Sequence, residues 1–290
     1  MFQLPSPLQK IETELTRQFN IHLFIKRDDL IHPEISGNKW RKLKYNLEAA
    51  NRENKDTILT FGGAYSNHIT ATAAAGKYLG LKTIGIIRRE EYQPLNKSLQ
   101  FAKDCGMQLH YVNRTDYKSF NIQHSSLNID ENKVFILPEG GANELAVKGC
   151  TEIVDEIEID FDYICCACGT GTTIAGIASN LKPHQQAIGI AVLKHYKISD
   201  EIIQKYGIQH SSFNIHHYAF NGYAKITPEL IQFIKSFYDE HQILLDYVYS
   251  GKMMYGISDL IAKNYFPERS TIIAVHTGGV MNANVFDIEK

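Results

Sequence analysis

Short runs of apolar and β-branched residues alternate along the chain with longer segments whose apolar residues recur at helical spacing. The runs are TILTF (57–61), TIGII (83–87), LHYV (109–112), VFIL (134–137), YICCA (163–167), AIGIAVL (187–193) and TIIAV (271–275). Strands that alternate with helices pair in parallel, because each helix carries the chain back across the sheet. The pattern therefore predicts an α/β fold built on parallel sheets, with helices on both faces.

One helix start is marked by local signals as well as by periodicity. Thr227 suits the cap position, and Pro228 suits the first helical residue, where a missing N–H costs no intrahelical hydrogen bond. Apolar residues follow at three-and-four spacing: Leu230, Phe233, Ile234 and Phe237. We therefore predict a helix that begins at position 228.

The size and charge of the chain narrow the classes of function. A chain of 290 residues suits two domains, at roughly 150 residues per domain. Hydrophobic residues make up 44% of it and charged residues 21%, as in packed globular proteins. A net charge of −2 argues against a nucleic-acid-binding protein, which carries a strong basic excess. We therefore expect a small molecule as the partner.

The sequence lacks the marks of a secreted or membrane protein. The segment MFQLPSPLQKIE has no charged stretch followed by an apolar one, and the chain has no run of about 18 apolar residues. Three of the five cysteines crowd into YICCACGT, which suits a reducing compartment better than a disulfide framework. We expect a cytoplasmic protein that binds neither membranes nor nucleic acid.

The segment TFGGAYSNHITATAAAG places polar residues after a predicted strand, where ligands collect in open parallel sheets. Two glycines allow a tight turn, and Ser66, Asn67 and His68 then open an alanine-rich helix. One of these side chains could be an ordinary helix cap. Three polar side chains beside the backbone N–H groups of a helix start also form an anion site of carboxylate size.

A second segment, YICCACGTGTTIAGIA, runs from a buried strand into a helix through Gly169, Thr170, Gly171, Thr172 and Thr173. Its glycines let the backbone approach a ligand, and its N–H groups and hydroxyls can hold a phosphate. The spacing of its glycines, 169, 171 and 176, matches neither the Walker loop nor the dinucleotide fingerprint. The alternatives are a phosphate cradle and a plain strand-to-helix turn.

The same segment contains a CxxC pair, Cys165 and Cys168, which raises a metal or redox alternative. The sequence has no second CxxC and no nearby histidine partner, so we interpret both cysteines as small core residues and expect no metal site. His216 and His217 are interpreted as packing or surface residues.

Two further segments carry candidate residues. In SGNKWRKL, the cations Lys39, Arg41 and Lys42 crowd into one helical turn, where like charges repel and an anion is expected. Two other strand ends, in VYSGKMMYG and VHTGGV, carry Tyr249, Ser250 and Thr277, which could hold a ring.

One ligand accounts for these features, because pyridoxal phosphate has a phosphate for the Gly/Thr loop, an aldehyde for a lysine and amino acids as its substrates. The sequence resembles the fold type II pyridoxal-phosphate enzymes, and within them the group of 1-aminocyclopropane-1-carboxylate deaminase and D-cysteine desulfhydrase. The motifs that carry the resemblance occur in order over nearly the whole chain: IKRDDL, SGNKWRKL, GGAYSNH, ACGTGTTIAG, GYAKITPE, VYSGKMMYG and HTGG.

The resemblance implies a tryptophan-synthase-β-like architecture, with two open, twisted, mostly parallel-sheet domains and the cofactor in the cleft between them. The larger, cofactor-binding domain would combine residues 1–42 and 150–290, and the smaller α/β domain would be residues 43–149. The resemblance also implies a homodimer.

The resemblance implies a role for each cofactor-binding residue. Lys39 would form the Schiff base with the cofactor and act as a general base once the substrate amine displaces it. Lys42 and the loop of Gly169, Thr170, Gly171, Thr172 and Thr173 would hold the phosphate. Asn67 would contact the phenolic oxygen, Ser250 the pyridine nitrogen, and Thr277 the ring region. Arg41 receives no role.

The resemblance also identifies residues that would act on the substrate. Ser66, Asn67 and His68 would bind a small amino acid, with Ser66 and His68 at its carboxylate. Tyr249 and Tyr223 would lie above the ring, and with Lys39 and Ser66 they complete the catalytic candidates.

The resemblance implies a lyase or deaminase that eliminates a β-substituent such as a thiolate, as D-cysteine desulfhydrase does, and releases a 2-oxo acid, ammonia and, from D-cysteine, sulfide. Cyclopropane deaminases have Glu where this chain has Ser250, which disfavours the ring-opening alternative. Tyr65 stands where other members have Gln, so substrate choice can differ. A cofactor-binding protein without turnover is a third alternative.

Overall fold

The computed structural model describes residues 2–35, 37–88, 90–91, 93–120, 127, 129–194, 197–208, 213–222, 224–281, 284 and 286. The chain divides into two compact units: unit 1 is Met1–Asn38 with Val147–Lys290, and unit 2 is Lys39–Ala146. The units divide after residues 38 and 146. The domain boundaries expected from the sequence, after residues 42 and 149, lie four and three positions further along the chain.

Unit 1 contains a six-stranded sheet in the order β1-β2-β10-β7-β8-β9. Its strands are β1 (Leu8–Ile11), β2 (His22–Lys26), β7 (Tyr163–Cys168), β8 (Gln186–Ala191), β9 (Phe213–His217) and β10 (Thr271–Val275). Every neighbouring pair is parallel except β1 and β2, which are antiparallel with Leu8 opposite Lys26. The mostly parallel sheet predicted from the alternating pattern is confirmed.

Helices cover both faces of this sheet, and strand β7 shows how the sequence arranges this. Cys165 and Ala167 point into one apolar cluster, while Ile164, Cys166 and Cys168 point into the other. A strand buried on both faces is apolar at every position, which is why YICCAC carries no alternation. The helices of unit 1 are α1 (Glu14–Gln18), α6 (Glu144–Asp155, from position 147 onwards), α7 (Thr172–Ala178), α8 (Ile198–Tyr206), α9 (Pro228–His241) and α10 (Ser250–Ala262).

Helix α9 confirms the predicted start. The Thr227 side chain accepts a hydrogen bond from the backbone N–H of Leu230, and Pro228 occupies the first helical position. Leu230, Ile234 and Phe237 are buried against the sheet, as the three-and-four spacing predicts.

Unit 2 contains a four-stranded parallel sheet in the order β5-β4-β3-β6. Its strands are β3 (Thr57–Gly62), β4 (Lys82–Arg88), β5 (Gln108–Val112) and β6 (Val134–Leu137). Its helices are α2 (Asn38–Arg52), α3 (Asn67–Leu79), α4 (Lys97–Asp104) and α5 (Arg114–Lys118). The alanine-rich sequence of α3 lets it approach β4 closely: a Cβ added at Gly76 would lie 2.3 Å from the Thr83 side chain.

All seven apolar runs form strands, and three further strands, β1, β2 and β9, were not predicted. Among the described residues, no helix has the length and apolar character that crossing a membrane requires.

Candidate active site

In unit 1, the Gly/Thr loop links the carboxyl end of β7 to α7. Gly171 occupies the cap position of α7 with φ of 77°, a conformation that favours glycine, and no side chain caps the helix. A Cβ added there would lie 2.4 Å from the Ile202 side chain. The backbone N–H groups at the start of α7 therefore receive no side-chain cap, as an oxyanion site requires.

The threonine hydroxyls of this loop complete a donor set that fits a phosphate. Thr173 Oγ1 accepts a hydrogen bond from the Asn38 amide at 2.9 Å, so its own proton can be donated to a phosphate oxygen. Thr172 Oγ1 lies 3.1 Å from Thr170 Oγ1 and 3.1 Å from the Tyr206 hydroxyl. Threonine hydroxyls and backbone N–H groups on a glycine loop are neutral donors, and such donors can hold a phosphate dianion without a cation paired to it. Asn38 was not predicted, although it precedes Lys39 in the same motif.

Tyr249 lies against the same loop. A Cβ added at Gly169 would lie 3.4 Å from Tyr249 Cε1, within van der Waals contact, so the tyrosine ring lies beside the loop backbone. The structure therefore brings together two segments that the sequence placed 80 positions apart (169 and 249). Tyr223, the other tyrosine expected here, lies outside the described residues.

Ser250 opens helix α10 and is held by Asp246. The Ser250 hydroxyl donates to Asp246 Oδ2 at 2.6 Å and accepts from the Asp246 backbone N–H at 2.8 Å. Both residues are fully buried. The same carboxylate accepts backbone N–H groups from Val248, Tyr249 and Ser250 at 2.7–2.8 Å. Asp246 was not predicted; the signal was a lone acidic residue inside the apolar stretch ILLDYVY.

Two glycine-containing motifs of unit 1 meet at Thr277. Gly37 has φ of 66° and donates its N–H to the Asp28 carbonyl at 2.9 Å. A Cβ added at Gly37 would lie 1.9 Å from the Thr277 carbonyl oxygen. Glycine is thus required at position 37 both for its backbone conformation and for this approach. Gly37 of the motif SGNK and Thr277 of the motif HTGG, which no pattern in the sequence pairs, therefore contact each other.

In unit 2, Lys39 and Lys42 lie one turn apart on α2. Lys39 is half-buried, Lys42 is buried, and Lys42 Nζ lies 3.4 Å from the Gly140 carbonyl oxygen at the end of β6. Arg41 is fully buried.

Helix α3 begins at the Ser-Asn-His turn after strand β3. Ser66 is its cap, and its hydroxyl accepts the Ile69 N–H at 3.3 Å, which leaves the hydroxyl proton for another acceptor. The backbone N–H groups of Asn67 and His68 lie in the first turn, where a helix offers them no acceptor of its own. This turn can therefore bind a carboxylate through backbone and hydroxyl donors.

The ring of His68 is fixed in one tautomer by its neighbours. Thr60 Oγ1 donates its single proton to the Leu137 carbonyl at 2.9 Å and lies 2.8 Å from His68 Nε2. Nε2 must therefore carry the proton, and Nδ1 is an acceptor. Nδ1 is buried and has no hydrogen-bond partner among the described residues. Thr60 was not predicted, because a buried threonine inside a strand looks like packing.

The electrostatics of His68 connect this turn to the lysines. Burial, followed by the positive charges of Lys39 and Lys42, holds the pKa of His68 well below its usual 6.5. The ring is therefore neutral at neutral pH, and it offers no N–H to a carboxylate. The predicted carboxylate contact of His68 is left to its backbone N–H. Because both lysines act on one buried ring, unit 2 brings its predicted cofactor and substrate residues together.

The other sequence hypotheses concern residues outside these clusters. Cys165 and Cys168 are buried in the core as predicted. In the part of the chain that the structure describes, no group of three or more His, Cys, Asp or Glu side chains could hold a metal ion. Tyr65, which precedes the Ser-Asn-His turn, is 58% exposed.

Comparison with known proteins agrees with the cofactor that this geometry fits. A family model described as pyridoxal-phosphate dependent enzyme matches residues 1–278. The chain is 33% identical over 292 residues to the mitochondrial bifunctional D-cysteine desulfhydrase/1-aminocyclopropane-1-carboxylate deaminase of Arabidopsis thaliana, with 89% of this chain and 72% of that protein covered.

Two further similarities extend over nearly the full length. The chain is 28% identical over 308 residues to a D-cysteine desulfhydrase of Klebsiella pneumoniae strain 342, with 95% of this chain and 92% of that protein covered. The crystal structure of a protein described as the ACC deaminase homologue superposes with a TM-score of 0.85 and 29% identity, covering 99% of this chain and 93% of the other.

Proposed function

This chain belongs to the pyridoxal-phosphate-dependent enzyme family, and from that premise we propose that it eliminates a β-substituent from a small amino acid, as a D-cysteine desulfhydrase does. The products are a 2-oxo acid and ammonia, together with sulfide when the substrate is D-cysteine. The observation that carries the proposal is the match to pyridoxal-phosphate-dependent enzymes over residues 1–278, together with the similarity to a D-cysteine desulfhydrase/deaminase. Within unit 2, the charges of Lys39 and Lys42 reach the buried His68 of the carboxylate-binding turn, which agrees with it.

The cofactor contacts in this proposal come from both units. Lys39, Lys42 and Asn67 belong to unit 2, whereas the Gly/Thr loop, Ser250 and Thr277 belong to unit 1, the larger unit. Pyridoxal phosphate, when bound, supplies an aldehyde that condenses with amines and a ring that withdraws electrons from the α-carbon.

Substrate binding rests on the Ser-Asn-His turn. The backbone N–H groups of Asn67 and His68 and the hydroxyl of Ser66 bind the carboxylate. A helix start favours negative charge, so the carboxylate is held without a buried cation of its own. The His68 ring is held by Thr60 at Nε2, and burial with the charges of the two lysines keeps it neutral.

Proton movement is assigned to Lys39 and Tyr249. The amine of Lys39 removes the α-proton of the substrate, which it can do only while deprotonated. The hydroxyl of Tyr249 protonates the departing group. Because the Tyr249 ring packs on Gly169, the loop fixes the position of that hydroxyl.

Reconstituted protein tests the proposal. Wild type should turn yellow with pyridoxal phosphate, and borohydride should fix the cofactor mass on the peptide that contains Lys39. Lys39→Ala should lose both signals, whereas Lys44→Ala, a matched change on the same helix, should keep them. A panel of D- and L-amino acids should yield pyruvate, with sulfide from D-cysteine. A coloured protein inert toward the whole panel would instead support the cofactor-binding alternative without turnover.

Ring opening of 1-aminocyclopropane-1-carboxylate is the second candidate, favoured by the names of the relatives. Formation of 2-oxobutanoate from this substrate, at a rate similar to pyruvate from D-cysteine, would establish it. Ser250 in place of Glu is the reason that we expect the elimination to be faster.

We also propose a cytoplasmic homodimer, on the basis of the family resemblance and of the cysteine usage in the sequence. The molar mass in solution tests the dimer: a value of twice 32.9 kDa is expected.

A further inference from the structure

We propose that Asp246 is a positioning residue that fixes the direction of the Ser250 hydroxyl, so that the site holds the cofactor's ring nitrogen in its protonated form. This inference rests on the proposed function, because it concerns the ring that Ser250 would contact.

The Ser250 hydroxyl has no proton left for a ligand. Its hydroxyl has one proton, and that proton is donated to Asp246 Oδ2 at 2.6 Å. One of its two acceptor sites is filled by the Asp246 backbone N–H at 2.8 Å. What remains is one acceptor site and no donor. In this arrangement Ser250 can accept a hydrogen bond from the cofactor but cannot give one.

The partners of the carboxylate keep this direction in place. Asp246 Oδ1 accepts the N–H groups of Val248 and Tyr249 at 2.8 and 2.7 Å, and Oδ2 accepts the Ser250 N–H at 2.8 Å. With three backbone N–H groups and the Ser250 hydroxyl all donating to its two oxygens, the Asp246 side chain is an acceptor in every one of these bonds. A hydrogen bond from a hydroxyl to a carboxylate is among the strong ones, and turning the Ser250 proton away would break it.

Lys252 interacts electrostatically with Asp246 but does not replace Ser250 as its hydrogen-bond partner. The Lys252 ammonium is attracted by Asp246, but its hydrogen bonds go to the carbonyl oxygens of Ala219 and Gly222 at 3.0 and 2.9 Å. Among the described residues, the side-chain donor to Asp246 is thus the Ser250 hydroxyl, and the carboxylate behind that hydroxyl orients it.

The state of the ring nitrogen follows from this orientation. An unprotonated nitrogen would set its lone pair against the lone pair of Ser250 Oγ. A protonated nitrogen donates to that oxygen, and the negative charge of Asp246 stabilises the resulting chain of two hydrogen bonds. The site therefore favours the protonated nitrogen, which withdraws electrons more strongly.

A labelled cofactor tests the inference directly. Pyridoxal phosphate with ¹⁵N in the ring is loaded into the protein, and the nitrogen chemical shift reports protonation whether or not turnover occurs. We expect the shift of a protonated pyridine in wild type and the shift of an unprotonated one in Asp246→Asn. Asp259→Asn makes the same chemical change further along α10, away from Ser250, and should keep the wild-type shift.

A second variant guards against misfolding, because Asp246 also holds three backbone N–H groups. Ser250→Ala leaves those bonds intact and removes only the oriented hydroxyl, so it should also give the unprotonated shift. An unprotonated nitrogen in wild type, or a protonated one retained in Ser250→Ala, would overturn the inference while leaving the proposed function standing. Failure of wild type to bind the cofactor through Lys39 would overturn both, which separates the two failures.

Discussion

The close approach at Gly37 gives a quantitative prediction with an internal control. Gly37 and Gly207 both lie in unit 1 and share φ of 66°. A Cβ added at Gly207 meets no atom within 4 Å, whereas one added at Gly37 would lie 1.9 Å from the Thr277 carbonyl oxygen. The two Gly→Ala changes therefore carry the same conformational cost and differ in the clash.

The magnitudes can be worked from these distances. A left-handed conformation costs a non-glycine residue roughly 1–2 kcal/mol, which both variants lose. A carbon and a carbonyl oxygen normally stay about 3.3 Å apart, so the backbone at Thr277 must retreat by more than about 1 Å in Gly37→Ala. Crowding of this kind costs roughly 1–3 kcal/mol or more. We expect Gly37→Ala to lose about 2–5 kcal/mol of unfolding free energy, against about 1–2 for Gly207→Ala.

Urea unfolding followed by far-ultraviolet circular dichroism measures both variants beside wild type. The slopes should agree, so that the midpoints report stability. Gly37→Ala should also weaken cofactor binding, because Thr277 belongs to the proposed site. If the two variants were equally stable, the contact between the SGNK and HTGG motifs would not be as tight as the structure has it, and the reasoning would be refuted.

Three further predictions concern titratable side chains that are buried. Burial holds the pKa of His68 well below 6.5, so on acidification the unfolded chain takes up this proton at a higher pH than the folded protein does. The free energy of unfolding should therefore fall as the pH falls below about 6.5, by up to ~1.4 kcal/mol per pH unit. His68→Gln should flatten this decline in urea titrations between pH 4 and 7. Burial lowers the pKa of Lys252 from 10.5 to about 8, so between these two pH values the folded state holds fewer protons than the unfolded chain. The free energy of unfolding of wild type should therefore rise with pH over this range, and Lys252→Met should lack the rise. Lys26 Nζ lies 2.8 Å from Glu156 Oε2 with 1% of its side chain exposed, so Glu156→Gln should cost roughly 3–5 kcal/mol by leaving the ammonium buried without its anion; a loss below about 1 kcal/mol would contradict this.

The fold was predictable from the sequence wherever a strand is buried on both faces. Runs such as YICCA and TIIAV are mostly apolar, and such a run predicts a buried strand without any knowledge of the strands and helices that pack against it. The missed strands have polar positions with a tertiary cause. In β2, Lys26 is fully buried only because Glu156, 130 positions later, supplies its anion. In β9, an edge strand, the sequence FNIHH mixes apolar and polar residues because only one neighbouring strand covers it.

The candidate site divides in the same way. Residues whose chemistry is visible in a motif, such as Lys39 and the Gly/Thr loop, could be proposed from sequence. Residues that act through geometry could not: Thr60 sets the tautomer of His68 because its own proton goes to Leu137. Asp246 sets the direction of Ser250 across a turn, and no periodicity links those two positions. Both effects depend on which atom donates each hydrogen bond, and the residues next to Thr60 or Asp246 in the sequence do not reveal this.

The burial of the cysteines has a consequence for a protein that would release hydrosulfide. All five are free thiols withdrawn from solvent, and burial raises the pKa of Cys165 well above its ordinary value. Thiolates at a protein surface attack the polysulfides that form when air oxidises hydrosulfide, and none of the five cysteines of this chain lies at the surface. An enzyme with this distribution of cysteines should keep its thiols unmodified while it releases hydrosulfide, without an added reductant.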